Sequence, residues 1–391
     1  MRILKSNLLT DGKLFNDGRP VDLIQVENET DFDTLLNNII STGYYNTSYF
    51  DSHIDYKEGE VKFDSLFLTA ILKFLKPKSL LELGCGRGDV LFLLGLDGKT
   101  KVRGIEFSPD IFNKVWPILR GKVDEGDILE VCQEYEKKGI SFDTFCAFDL
   151  WEHLHPKKLP DYIATLIRLA QKDALFFFNI PAVGEDKVFG EVFPLELEKN
   201  REKFNQRLPF DYLNAESTAP PIPANGHLIW AHSEWWQKQF EQHGLVRAET
   251  LESNIHQFFD EHLFYARKSF YLFYLNTPEA RQRLKKLTQK RLTLHRKWKL
   301  LVNLQKFIGL FITGQEKSFI DLKELKLTIN HAEFYMVQDL KTRITNWTGK
   351  IYPRTKPPVS DQAIPTLLDK LTFKYLDAYI RRYKKRHYLI K

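Results

Sequence analysis

The run Leu80-Leu81-Glu82-Leu83-Gly84-Cys85-Gly86-Arg87-Gly88-Asp89 reads as a buried apolar strand, a turn with glycine at alternate positions, and the first residues of a helix. Three such glycines leave no side chain between the backbone and a ligand, and they permit positive φ where the turn requires it. A ligand can then lie against bare peptide at a helix N-terminus. The spacing is G-x-G-x-G and not the G-x-G-x-x-G of dinucleotide sites, because position 89 is Asp.

Working outward, the chain of 391 residues has room for one large domain with extensions, or for two. Its hydrophobic content of 43% is ordinary for a globular protein. No run approaches the ~20 apolar residues of a membrane span. Met1 to Asn7 lacks the apolar core of a secretory signal. Three cysteines, Cys85, Cys132 and Cys146, form neither a disulfide framework nor a zinc pattern and fit a reducing, cytoplasmic setting. The net charge of +6 hides an asymmetry. Residues 281–391 hold 26 Lys and Arg against 8 Asp and Glu, an excess of +18, which leaves residues 1–280 at −12. A basic end of this kind attracts phosphate in nucleic acid or in an anionic membrane face, or docks on an acidic partner.

Strand patterns at 79–83, 101–106, 143–148 and 174–180, with a weakly marked one near 121–125, alternate with helical patterns at 88–95, 108–119, 127–138 and 157–171. Near-continuous apolar strands such as Ala174-Leu175-Phe176-Phe177-Phe178 are expected to be covered on both faces. The alternation predicts an α/β fold with a doubly wound, mostly parallel sheet. A helix at 232–243 and strands at 245–251 and 268–275 complete seven strands. The expected organisation is an N-terminal cap or lid over 1–60 and a sheet domain over 61–276 interrupted by a Pro-rich insertion at about 182–226. A basic, mainly helical C-terminal region over 277–391 follows. Within that region the sparsely charged run 301–312 suits a membrane-surface helix or the core of a small bundle, and 381–386 is a basic end.

Glu82 two residues before the first glycine, with the G-x-G-x-G turn, resembles motif I of class I S-adenosylmethionine methyltransferases, and the resemblance extends over roughly residues 60–275. It implies a Rossmann-like methyltransferase fold, S-adenosylmethionine as cofactor and S-adenosylhomocysteine as product. Glu82 would hold the cofactor's ammonium, and Gly84, Cys85, Gly86 and Gly88 would flank its methionine part, with Cys85 a small space-filler rather than a nucleophile. Glu106 would accept both ribose hydroxyls, although Ser108-Pro109 equally marks it as the lead-in to a helix. Phe107 and Ile128 would cover the adenine and Asp127 would take its amino group, unless Asp127 serves only as a helix cap.

Asp149-Leu150-Trp151-Glu152-His153-Leu154 resembles the D-x-x-E-H-L segment of small-molecule and sugar methyltransferases. His153 is the candidate base for an acceptor hydroxyl, with Asp149 or Glu152 orienting it, although Glu152-His153 can equally fix the turn. The segment Gly226-His227 to Trp236 is similar to one that precedes the last helix of polysaccharide methyltransferases. With it, Trp151, His227 and Trp230 are expected to contact a glycan or small-molecule acceptor. Tyr45, in the aromatic segment 43–50, belongs either to a lid over that acceptor or to an apron on the core. This first reading assigns no metal ligands. A second reading keeps the cofactor: Asp149, Glu152, His153 and His227 are similar to the metal site of 3′-terminal RNA ribose 2′-O-methyltransferases. A third treats the fold as a non-catalytic scaffold with a partner-binding tail. Asn179-Ile180-Pro181-Ala182 resembles the N-x-P-aromatic motif of base methylation but stands after the wrong strand and lacks the aromatic.

Overall fold

Apolar strands alternating with amphipathic helices leave one economical arrangement, a parallel sheet with helices on both faces, and the computed structural model has it. It describes residues 1–9, 20–46, 61, 63–95, 98–183, 197–216, 218–253, 255 and 270–288. The strands are β1 (Arg2–Leu9), β2 (Pro20–Gln25), β3 (Ser79–Leu83), β4 (Lys101–Glu106), β5 (Val123–Glu125), β6 (Phe142–Phe148), β7 (Ala170–Asn179), β8 (Tyr212–Asn214), β9 (Leu245–Arg247) and β10 (Phe270–Leu275). Seven of them form one sheet in the order β5-β4-β3-β6-β7-β10-β9. β5, β4, β3, β6 and β7 pair in parallel, and β10 runs antiparallel to both β7 and β9.

The chain winds from β3 outward through β4 to β5, then crosses back to β6 and continues to β7. The order reverses between β3 and β6, and the carboxyl ends of those strands are where an open α/β sheet binds its ligand. β7 fits its central place because Ala174 to Phe178 are buried on both faces. Phe176 stacks on Phe145 at 4.9 Å and Phe177 on Phe270 at 5.5 Å, one pair on each side of the sheet.

Three expected elements are shorter or broken. The helix expected over 108–119 is a short helix, Pro109–Phe112, and a 3-10 turn, Pro117–Leu119. Pro117 has no N–H to continue the first, and the residue before a proline is steered out of the helical region. The helix expected to 171 stops at Arg168 because β7 begins at Ala170. The strand expected over 245–251 ends at Arg247.

A second sheet has no counterpart in the sequence reading. β1, β2 and β8 form it, all antiparallel, so the first 25 residues pair with the insertion near residue 213. The helix Glu29–Ser41 follows, opened by a capping box between Asn28 and Asp31, and buries Leu35 and Ile39 against the same core as β2. Against β6 and β7 of the large sheet the helix Pro278–Thr288 is latched by Arg283. Its guanidinium donates to the carbonyls of Asp143, Asp173 and Leu75 and to Thr144 Oγ1 at 2.6–3.1 Å. Residues 289–391, with the 301–312 and 381–386 runs, lie outside the described residues, as do 47–60 and 184–196.

Candidate active site

Each glycine of the turn after β3 has positive φ: +59° at Gly84, +57° at Gly86 and +82° at Gly88. A Cβ at Gly84 would stand 2.9 Å from Leu150 Cδ1, and one at Gly88 would stand 2.5 Å from Leu119 Cδ1. The positive φ values require glycine there, and a Cβ at Gly84 or Gly88 would in addition have to displace a leucine tip. Cys85 is buried against Gly104, where a Cβ would stand 2.6 Å from its sulfur, and burial raises its thiol well above the ordinary value. It fills space and is no nucleophile.

Asp89, the residue that breaks the dinucleotide spacing, is buried and accepts from Arg87 Nε at 2.9 Å and from Trp116 Nε1 at 2.6 Å. Trp116 in turn stacks on Phe92 at 4.6 Å. The sequence carried no signal for this network, because Trp116 lies 27 residues away.

Glu106 closes the turn. Its Oε2 accepts from Gly86 N–H and its Oε1 from Ser108 N–H, both at 2.8 Å. Burial raises its carboxyl, and those N–H groups together with Phe107 N–H partly oppose the rise. Glu82 is buried beside it; desolvation first, then Asp89 and Glu106, raise its carboxyl well above the ordinary value. Glu82 Oε2 finds no hydrogen-bond partner among the described residues. A buried acceptor left this way calls for a donor. Asp127 caps the helix Ile128–Lys137 by accepting from Leu129 N–H at 2.8 Å, next to the Gly126 N–H that bonds Glu106 O. Phe107 is 48% exposed and Ile128 is buried.

A second cluster stands at the end of β6. Asp149 has φ +50° and accepts from Asn179 Nδ2 at 2.9 Å, so Asn179, set aside as a base-methylation motif, clamps this turn instead. Glu152 is fully buried. Its Oε1 lies 3.6 Å from His153 Nε2 and 3.9 Å from His227 Nε2, and the rings of the two histidines meet edge to face at 4.7 Å. His227 is held there because Leu228 N–H and Ile229 N–H both donate to Glu152 O. His153 Nδ1 lies 2.7 Å from Tyr45 Oη and 3.2 Å from Gly226 O.

Burial lowers the His153 imidazole from its ordinary 6.5 to about 4, against the opposing pull of Gly226 O and Asp149. The unfolded chain binds a proton on this ring below about 6.5 and the fold does not until about 4. Stability is therefore lost as pH falls through that window, by up to about 3 kcal/mol. Urea melts at pH 7 and pH 5 are expected to show a smaller acid loss in His153→Gln than in the wild type. Equal losses would place the acid sensitivity elsewhere.

Three expectations need correction. Trp151 does not face an acceptor: it has 0% exposure and packs edge-on against Phe178 and Phe240 at about 5 Å, inside the core. Ser108 occupies the helix-cap position but makes no side-chain cap; its hydroxyl donates to Tyr45 O at 2.6 Å. Trp230, also expected to contact the acceptor, is instead 2% exposed and lies behind His227, with ring centres 5.0 Å apart; Trp236 is a core residue.

The glycine turn, Glu82, Glu106, Asp127, Asp149, Glu152 and His153 thus gather at the carboxyl ends of β3 to β6. Over residues 57–253, just over half of its length, the chain matches a family model described as a methyltransferase domain. The chain belongs to that methyltransferase family. It is a class I enzyme, and membership implies S-adenosylmethionine as its methyl donor. No curated protein matches it. Several solved structures are similar. Protein PH0226 from Pyrococcus horikoshii OT3 is 16% identical, with 52% of this chain and 91% of that one covered and a TM-score of 0.36. An S-adenosylmethionine-dependent methyltransferase from Clostridium acetobutylicum ATCC 824 is 14% identical, covering 58% and 96%, with a TM-score of 0.34. An O-methyltransferase family protein from Burkholderia thailandensis is 12% identical, covering 64% and 70%, with a TM-score of 0.38.

The residues at these strand ends fit such a donor: the side-chain-free turn would face its methionine part, Glu82 Oε2 would accept from its ammonium, and Glu106 would accept from its ribose hydroxyls. Among the described residues no helix is long and apolar enough to cross a membrane.

Proposed function

We propose that this methyltransferase methylates a hydroxyl of a glycan or another sugar-bearing acceptor. The observation that carries the reading is the neutral His153 imidazole at the end of β6, turned by Gly226 O and Tyr45 so that Nε2 shares a space with Glu152 Oε1. When bound, S-adenosylmethionine supplies a methyl group already activated as a sulfonium, so the protein's task is positioning and removal of the acceptor's proton. His153 Nε2 takes that proton. Glu152 then stabilises the imidazolium, and His227 offers a second polar contact. Tyr44 and Tyr45 supply flat faces beside these groups, which suits a sugar ring.

The full-length protein should release heat on titration with S-adenosylmethionine. Incubated with methyl-labelled donor and a cell extract, it should place label in a glycan-bearing fraction. No heat would favour a non-catalytic scaffold.

One observation favours the second reading. Ligand atoms of Glu152, His153 and His227 all lie within 4.8 Å of one another, close enough for one divalent ion. Asp149, the expected first ligand, is outside that group and bonded to Asn179. The ion would act as a Lewis acid toward an acceptor hydroxyl, and the acceptor would be an RNA end. Label appearing in RNA and lost with a chelator would replace the glycan reading with this one.

The basic excess beyond residue 281 suits attachment to an anionic membrane face, with a cytoplasmic enzyme held at the inner side. Sedimentation with anionic vesicles, compared with neutral ones, tests it; equal behaviour on both would end the idea.

A further inference from the structure

We propose that Tyr45 is a positioning residue, which holds the His153 imidazole in its Nδ1–H tautomer and ties that orientation to occupancy of the cofactor pocket. The catalytic meaning of this deepens, and rests on, the reading of His153 as proton acceptor.

Tyr45 touches both halves of the cleft. The helix Glu29–Ser41 ends, Gly43 turns the chain at φ +61°, and Tyr44 N–H returns to Ile39 O. The next residue reaches two strand ends. Its carbonyl accepts from Ser108 Oγ at 2.6 Å, and Ser108 N–H is one of the two donors that brace Glu106. Its hydroxyl lies 2.7 Å from His153 Nδ1 and 3.3 Å from Gly226 O. Tyr44 is anchored alongside through Glu216, which also takes Asn225 N–H. One residue thus joins the ribose carboxylate to the imidazole: Glu106, Ser108, Tyr45, His153.

The neighbours assign the tautomer. Gly226 O can only accept, so His153 Nδ1 faces it comfortably only with its proton in place. That proton also reaches the Tyr45 oxygen, whose own proton points to Gly226 O. Nε2 is left with its lone pair on the side of Glu152 Oε1, 3.6 Å away. The site leaves no slack. Gly226 has φ +70°, and a Cβ on it would overlap the Tyr45 hydroxyl, so the close approach requires glycine.

Histidine side-chain nitrogen NMR on the full chain, with and without S-adenosylhomocysteine, tests this; the His153 signals are those missing in His153→Gln. The wild type should show one Nδ1–H tautomer. Tyr45→Phe should raise the minor tautomer about tenfold, the worth of one hydrogen bond, and hold S-adenosylhomocysteine within about twofold because its carbonyl still accepts from Ser108. Ser108→Ala approaches from the other end. It should bind S-adenosylhomocysteine about tenfold more weakly and broaden the same His153 signals.

Unchanged His153 signals in both variants would overturn the hold on His153. Unchanged affinity in Ser108→Ala would overturn the coupling. If the wild type binds no S-adenosylhomocysteine, the cofactor reading fails and the coupling with it, while the comparison in ligand-free protein still decides whether Tyr45 sets the tautomer.

Discussion

His153→Ala should lower methyl transfer to the acceptor by about 10²–10⁴-fold, the usual worth of a positioned general base, with S-adenosylmethionine affinity unchanged. The ring's contacts include Tyr45, Gly226, Glu152 and His227, and its described route to the cofactor side runs through Tyr45 O and Ser108, a backbone link that the substitution leaves in place. Burial keeps the ring neutral near pH 7, with a lone pair available to the acceptor's proton and Glu152 beside it to stabilise the charge that forms. Radiolabel transfer into the acceptor fraction, with donor binding measured in parallel, separates the two effects. Transfer at the wild-type rate would remove His153 as the base. Loss of donor binding as well would show that the change had damaged the fold.

The second large effect is expected at Glu106. Glu106→Ala removes the expected ribose acceptor and the brace on two backbone N–H groups, at Gly86 and Ser108. Charge-assisted hydrogen bonds of this kind contribute about 1.5–3 kcal/mol, so affinity for S-adenosylmethionine should fall by about 10- to 150-fold. Glu106→Gln keeps one acceptor oxygen and should lose less. Titration calorimetry reads both. An alanine variant that binds as tightly as the wild type would mean that the ribose lies elsewhere.

The parts of this site that were legible in the sequence are those written in short spacings. Glycines at 84, 86 and 88, a carboxylate at the end of the next strand, and adjacent Glu152 and His153 all depend on residues a few positions apart or on one strand-helix repeat. What was not legible depends on pairing across the chain. β2 meets β8 nearly 190 residues later, and Tyr45 meets His153 across 108. Trp151 was misread for a different reason. An aromatic beside a catalytic pair suggests a ligand platform, but the one-turn 3-10 helix Trp151–His153 sends successive side chains in different directions, and position 151 points into the core. Ser108 shows that a cap residue's hydroxyl goes to the best acceptor in reach, which here belongs to a segment 63 residues upstream.

Among the described residues the large sheet stops on either side in a very short strand, Val123–Glu125 at one margin and Leu245–Arg247 at the other. Three residues expose too little unpaired backbone to template a foreign strand, a common protection against runaway polymerisation. Copies of this enzyme should therefore associate through side-chain surfaces, and a dimer whose large sheet ran unbroken from one subunit into the next would contradict that.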